Sequence, residues 1–197
     1  MKTSLCSTFR GDSLNSVYLR RIHMRPKLAI LLFVILFLFG CGEKKQDTWI
    51  EHNSDKGRFS VLMPGTPQKD IKNISSSIGI LKMYTFTFEK PDIAYVVVYI
   101  DYPRSVVDNK DPEIMLDGAR NGAIRNSGGR LLNEEFIEFE EYPGRELTFE
   151  VKGGRGLGRA VILLADTRLY QVMAIGAKQS FPSKTVQKFI DSFEIWD

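Results

Sequence analysis

Two stretches of this chain are apolar at every position: Ala94-Tyr95-Val96-Val97-Val98-Tyr99, within a run from Ile93 to Ile100, and Ala160-Val161-Ile162-Leu163-Leu164, within Arg159 to Ala165. Successive side chains of a strand point to opposite faces of its sheet. A strand with no alternation therefore belongs in the middle of a sheet that is covered on both sides. Whatever else the chain does, it must supply two covering layers.

The remaining elements fit that requirement. Arg58 to Met63 reads as a strand between the turn Ser54-Asp55-Lys56-Gly57 and the stop Pro64-Gly65-Thr66-Pro67. Asn73 to Gly79, rich in serine, reads as a turn, and Ile80 to Phe88 as an alternating strand ended by Lys90-Pro91-Asp92. Asp111-Pro112-Glu113 is a helix start, with a capping carboxylate, proline in the first turn and an acid at the positive end of the dipole. The predicted helix runs to about Asn126 and stops at Ser127-Gly128-Gly129. Its small residues Gly118, Ala119, Gly122 and Ala123 predict close packing on a sheet, although two glycines weaken a helix.

After that helix, Leu131 to Glu141 reads as an acidic alternating strand, Tyr142-Pro143-Gly144 as a turn, and Arg145 to Val151 as a strand with Leu147, Phe149 and Val151 on one face. The loop Lys152 to Leu157 leads into Arg159 to Ala165, and Asp166-Thr167 turns into Leu169 to Ile175. A last helix begins near Pro182, with Val186, Phe189, Ile190 and Phe193 spaced for one buried stripe. Hairpin-length connections make the sheet mainly antiparallel. Two helices are present to cover it, so the expected class is α+β, a mainly antiparallel sheet flanked by helices on both faces.

Gly57-Arg58-Phe59-Ser60-Val61-Leu62-Met63-Pro64, the strand around Arg168-Leu169-Tyr170, and the ending Lys188-Phe189-Ile190-Asp191-Ser192-Phe193 resemble the PsbP-like domain. That resemblance spans most of the chain after the first forty residues. It implies an antiparallel α/β/α sandwich and a largely non-catalytic, membrane-associated binding or assembly module. No functional residue of that family can be matched here.

The beginning of the chain has a different character. Basic residues (Arg20, Arg21, Arg25, Lys27) precede an unbroken apolar run of twelve residues, Leu28 to Phe39. In a helix such a run reaches only ~18 Å, whereas a bilayer span needs about 20 residues, so the segment reads as a signal-peptide core. Leu38-Phe39-Gly40-Cys41 resembles the lipobox of bacterial lipoproteins. It implies cleavage between Gly40 and Cys41 and a lipid on Cys41, though Phe39 is bulkier than that pattern usually holds. An uncleaved anchor, or an ordinary signal peptide cut nearby, are the alternatives. Met24 is a plausible start of translation, because a chain beginning there has two basic residues, the apolar core and the cysteine with nothing left over. The expected division is 1–40 signal peptide, 41–47 lipidated tether and 48–197 one globular domain. The expected location is the extracytoplasmic side of a bacterial membrane. Gly42 after the cysteine suggests the outer membrane where the host has two.

Charge and cysteine content narrow the functions. The whole chain carries +3, but residues 1–40 hold six Lys/Arg and one Asp, which leaves 21 basic and 23 acidic residues from Cys41 onward, a net −2. A nearly neutral domain argues against nucleic acid and against an electrostatic hold on anionic lipid. The other cysteine, Cys6, lies in the signal segment, so the domain has no disulfide to staple it.

Several residue groups deserve chemical scrutiny. Lys152-Gly153-Gly154-Arg155-Gly156-Leu157-Gly158 leads into a strand, not a helix, and lacks the Gly-Lys-Ser/Thr ending of a phosphate loop, so it reads as a hairpin. His52 is the one histidine after Cys41, which leaves neither a zinc set nor a Cys-His pair, and it reads as a surface or packing residue. Glu134, Glu135, Glu138, Glu140 and Glu141 could meet a cation or a basic partner, but they also suit an edge strand that must resist aggregation. Asp108-Asn109-Lys110-Asp111 places a lysine where a calcium loop needs an oxygen. Arg145, Arg155, Arg159 and Arg168 could gather into an anion-binding patch, although counting across the 152–157 loop sets Glu150 opposite Arg159 as an ordinary pair.

These readings point to a membrane-anchored, non-catalytic module, without cofactor or metal, that binds or assembles another envelope protein. The alternative is a carrier or sensor of a small apolar or anionic ligand held between sheet and helix. A cavity of ~300 Å³ or more at that place would favour the alternative.

Overall fold

The computed structural model describes residues 48–196 apart from 77 and 182. Gly40, Cys41 and the tether lie outside the described residues. Residues Gln46–Asp197 form a compact unit by themselves, and every strand pairing and both hydrophobic clusters described below lie within it.

Its strands are β1 (Ile50–Ser54), β2 (Phe59–Met63), β3 (Gln68–Ser76), β4 (Gly79–Glu89) and β5 (Ile93–Asp101). A short α1 (Arg104–Val107) and the long α2 (Pro112–Asn126) follow. Next come β6 (Arg130–Phe139), β7 (Tyr142–Val151), β8 (Gly156–Ala165) and β9 (Arg168–Ala177), then α3 (Lys184–Asp191) and β10 (Glu194–Ile195). Seven strands make one antiparallel sheet in the order β3-β4-β5-β9-β8-β7-β6. The doubly apolar runs form β5 and β8, on either side of the central β9, where both of their faces can be covered. A second antiparallel sheet, β1-β2-β10, was not anticipated from the sequence.

The two faces of the large sheet carry separate hydrophobic clusters. Tyr95, Val97 and Tyr99 of β5 with Val161 and Leu163 of β8 belong to the first, together with Phe59, Val61 and Met63 of β2 and Val186, Phe189 and Ile190 of α3. Val98 and Ile100 of β5 with Ala160, Ile162 and Leu164 of β8 belong to the second, together with Met115 and Leu116 of α2. The first cluster is thus completed by the small sheet and the last helix jointly. Polar ties secure them: the Tyr170 hydroxyl donates to the Gly57 carbonyl at 2.7 Å, and the Leu62 N–H donates to Ser192 Oγ at 2.9 Å.

Local chemistry explains the helix ends. Asp111 caps α2 by accepting from the Glu113 N–H at 2.9 Å, with Pro112 at the first position. Ser183 caps α3 by accepting from the Val186 N–H at 3.1 Å.

Three expectations from the sequence are corrected. Asn73 to Ser76 are not a turn but the end of β3, which pairs with β4 from Gln68↔Thr87 to Ser76↔Gly79. The strand is exposed along nearly its whole length, so no hydrophobic alternation announces it. Tyr142-Pro143-Gly144 do not turn the chain; the turn is Glu140-Glu141, with Glu140 in the left-handed region at φ 56°. Pro143 lies beyond the last β7–β8 pair, Gly144↔Leu163, so its missing N–H costs no bond on that side. Gly144 is needed for close approach, because a Cβ there would stand 2.6 Å from Leu163 Cδ2 and 2.7 Å from the Ile162 carbonyl oxygen. Finally, Arg159 faces Thr148, and Glu150 faces Leu157, so the sequence count across the loop is two residues out of register.

Candidate functional site

Alpha-helix α2 packs on β6, β7 and β8, which is only half of its face of the large sheet. Its hold there is ionic as well as apolar. The guanidinium of Arg145 on β7, 2 % exposed, pairs with Glu113 and, at 3.5 Å, with Asp117, both of α2. It also pairs with Glu134 of β6 at 3.1 Å and lies 3.8 Å from the centre of the Phe136 ring. Arg120 of α2 closes the group, 2.9 Å from Glu134 and 3.0 Å from Asp117. Burial alone lowers the Arg145 pKa, but the Glu113 hydrogen bond and the surrounding carboxylates outweigh it and leave the pKa raised.

Beyond that fastening, α2 overhangs the other half of the sheet and leaves a cleft of about 850 Å³. Its floor is laid in rows by the strand register. Met83, Ile100 and Leu169 make one row, Thr85, Val98 and Gln171 the next, and Val96 and Met173 the next. Ile74 and Ile78, at the β3–β4 end, stand across from the helix, and Ile114, Gly118 and Gly122 present the helix side. The lining includes Lys72, Lys110 and Arg125 and no carboxylate or histidine. Lys72 is paired with Asp70 at 3.1 Å, whereas Lys110 and Arg125 form no ion pair among the described residues. Tyr102 also lines the cleft, and burial raises its pKa, which keeps the hydroxyl protonated.

The small residues of α2 have a different role from the one expected of them. A Cβ added at Gly118 or Gly122 meets nothing within 4 Å. These glycines do not bring the helix down onto the sheet; they line open space. Each costs helix propensity with no packing in return. Such a local inconsistency in a folded chain points to function.

The sequence-derived candidates fall elsewhere. Arg145 faces α2, with Leu147 and Phe149, and is enclosed by three carboxylates. Arg159 is on the opposite face, paired with Glu146 at 2.6 Å and donating to Gln187. Arg168 pairs with Asp101 and lies 4.7 Å from the Tyr99 ring centre. Arg155 donates from Nε to the Lys152 carbonyl in the exposed loop at 3.3 Å. The four arginines do not form one patch. The 152–158 segment is a hairpin, with Gly153 and Gly154 at φ 66° and 86°. Of the five glutamates, Glu134 is drawn inward to Arg145 and Arg120, and β6 forms an edge of the sheet.

His52 is half-buried, with its ring 5.0 Å from Phe86 and 6.1 Å from Phe59. Burial, and then the charge of Lys69, lower its pKa, and its Nε2 has no hydrogen-bond partner. It is a packing residue. Among the described residues no group of three His, Cys, Asp or Glu could hold a metal, and no helix is long and apolar enough to cross a membrane.

The cleft was missed because its lining comes from six elements with no common motif. The one signal in the sequence was the pair of helical glycines, and it pointed to packing.

No protein-family model matches this chain, and no curated protein matches it. Among solved structures, a Pseudomonas aeruginosa protein of unknown function aligns with 12 % identity and a TM-score of 0.37 over 68 % of this chain and 86 % of its own, too low to carry an argument. Cyanobacterial PsbP from Synechocystis sp. PCC 6803 aligns over 81 % of this chain and 99 % of its own, with a TM-score of 0.55 and 14 % identity. In fold, this chain is similar to cyanobacterial PsbP.

Proposed function

We propose that the chain is a non-catalytic, lipid-anchored extracytoplasmic protein whose domain carries or senses a small apolar ligand in the cleft under α2. One observation carries this reading: about 850 Å³ of mostly aliphatic space, held open by two helical glycines with nothing opposite them. Ligand sites ordinarily occupy ~300–1,000 Å³ and are largely apolar with a few polar groups. A lining without carboxylate or histidine supports binding over acid–base catalysis. The Leu38-Phe39-Gly40-Cys41 tetrad supports the anchor.

The cleft is tested with the Gln46–Asp197 unit and a neutral apolar dye that fluoresces on burial, N-phenyl-1-naphthylamine. Saturable binding by the wild type, lost in a folded Gly118→Leu/Gly122→Leu variant, is expected. A wild type that shows no saturable signal refutes the reading. The anchor is tested separately: Cys41→Ser in the full chain should release the protein from membranes or leave it unprocessed, since each buried methylene of a lipid contributes ~0.8 kcal/mol.

A second reading, assembly with another envelope protein, is supported by the edge strand β6, where Phe136 is 72 % and Leu132 45 % exposed. Substituting both with serine should abolish capture of such a partner by crosslinking in native membranes.

A further inference from the structure

The cleft is asymmetric in charge as well as apolar, and this says more about its occupant. Its lining holds three cations and no anion, in a domain whose acidic residues outnumber its basic ones from Cys41 onward. The cations differ. Lys72 is already paired with Asp70, and Lys110 stands between Asp108 and Asp111 in the chain. Arg125, near the far end of α2, has no carboxylate partner among the described residues, and neither has the adjacent Asn126 amide a hydrogen bond there. Together they offer a planar guanidinium fork and an amide N–H₂ at one mouth of an apolar trough.

A helix C-terminus ordinarily repels an anion, because its last carbonyls are unsatisfied. Here three of the last four are occupied. The Ala123, Ile124 and Arg125 carbonyls accept from the N–H groups of Ser127, Gly129 and Gly128 at 3.2, 2.9 and 3.0 Å, and Ser127 Oγ donates a further bond to Ile124 at 2.8 Å. The negative end of α2 is thereby muted beside Arg125.

We infer that the cleft takes a single-chain anionic amphiphile of the fatty-acid kind, its acyl chain along the Val96–Val98–Ile100 floor and its head group on Arg125 and Asn126. The length of the trough agrees: α2, from Pro112 to Asn126, extends over roughly 21 Å at helical rise. An arginine fork matches a carboxylate or a phosphate in a bidentate pair.

This inference rests on the proposal that the cleft is a ligand site, and the test separates the two. The Gln46–Asp197 unit is titrated with cis-parinaric acid, a fatty acid that fluoresces in apolar surroundings, and with its methyl ester, which has the same tail and no charge. The acid should bind about tenfold more tightly, the order of ratio that one charge-assisted hydrogen bond supplies. Arg125→Glu should bring that ratio to one or below without weakening the ester, Lys110→Glu should leave it within about twofold, and Gly122→Leu should remove both signals. Displacement of the probe by oleate or by a lysophosphatidic acid identifies the head as carboxylate or phosphate. Equal binding of acid and ester overturns the inference while leaving the cleft a ligand site. Loss of preference in Lys110→Glu but not in Arg125→Glu overturns the placement of the head. No binding of either probe by a folded wild type overturns both.

Discussion

The two faces of the large sheet come from the same strands, yet they are finished in opposite ways. On the first face, rings interlock: Phe59 lies within 5.4–6.4 Å of Phe86, Phe193, Tyr170 and Tyr99, and Tyr95 meets Phe189 edge-on at 5.2 Å. On the second face the buried residues, Phe149 apart, are aliphatic or sulfur-bearing, and α2 covers half of them while overhanging the rest. Aromatic pairs have preferred geometries and large buried areas, so they specify one arrangement. Aliphatic side chains and methionine accommodate varied shapes. Specific ring packing is concentrated on one face, and open space is left on the other.

Breaking the closed face should have the largest effect. Phe59 and Phe189 are both 0 % exposed, and Phe59→Ala or Phe189→Ala should each cost about 3–5 kcal/mol in denaturant unfolding. A loss under about 1 kcal/mol from both would mean that this face is not the stable one.

The next effect should come from the fastening that holds α2 on its half of the open face. Arg145→Met removes the one cation common to Glu113, Asp117 and Glu134. Because Glu113 and Asp117 are about half exposed and can rehydrate, the expected cost is about 1.5–3 kcal/mol, below that of a fully enclosed pair. Amide exchange should accelerate in α2 before it does in β2 or α3. Uniform acceleration over the whole domain would contradict a separately held helix.

A smaller effect of opposite sign sharpens the contrast. Gly118→Ala with Gly122→Ala places each new methyl in open space, so the helix should gain about 1–2 kcal/mol in total from propensity. The same methyls narrow the cleft and should weaken dye binding. Stabilisation with reduced binding is the signature of glycines kept for the cavity. Destabilisation would show that the two positions touch the sheet after all.

These contrasts also mark how far the sequence could be read. Where one residue has a strong local preference, the reading and the structure agree: Asp111-Pro112 opens α2, Asp166-Thr167 turns β8 into β9, and the doubly apolar runs lie inside the sheet. Where partners decide, it failed. β3 is an exposed edge strand that exists because β4 pairs with it, and Pro143-Gly144 sits in a strand because Leu163 presses on Gly144. The small sheet β1-β2-β10 joins the two ends of the domain, and no local pattern records that. The cleft is less legible still, since its floor residues are indistinguishable in sequence from a filled core. Only the space above them differs, and that depends on where Arg145 fastens α2.

The smallest expected effect concerns His52, at the rim of the closed face. Its native pKa lies below the usual value, first through burial and then through Lys69, so the ring is neutral in the fold. A proton on Nδ1 leaves the unpartnered Nε2 as a bare acceptor, which costs less than an unpaired N–H. The direction of the pH effect follows. Well above about pH 6.5, the ordinary histidine value, both states are neutral and the contribution of His52 is fully present. As the pH falls below that value the unfolded chain binds a proton that the folded chain resists, so stability declines until the native ring is itself protonated. Urea midpoints for wild type and His52→Phe, taken from pH 8 downward, isolate this slope from that of the carboxylates, which titrate lower. The wild type should lose stability as the pH falls below about 6.5, the ordinary histidine value, more steeply than the variant. Parallel profiles would show that the ring is solvated, and that the closed face ends at Phe59 and Phe86 rather than at His52.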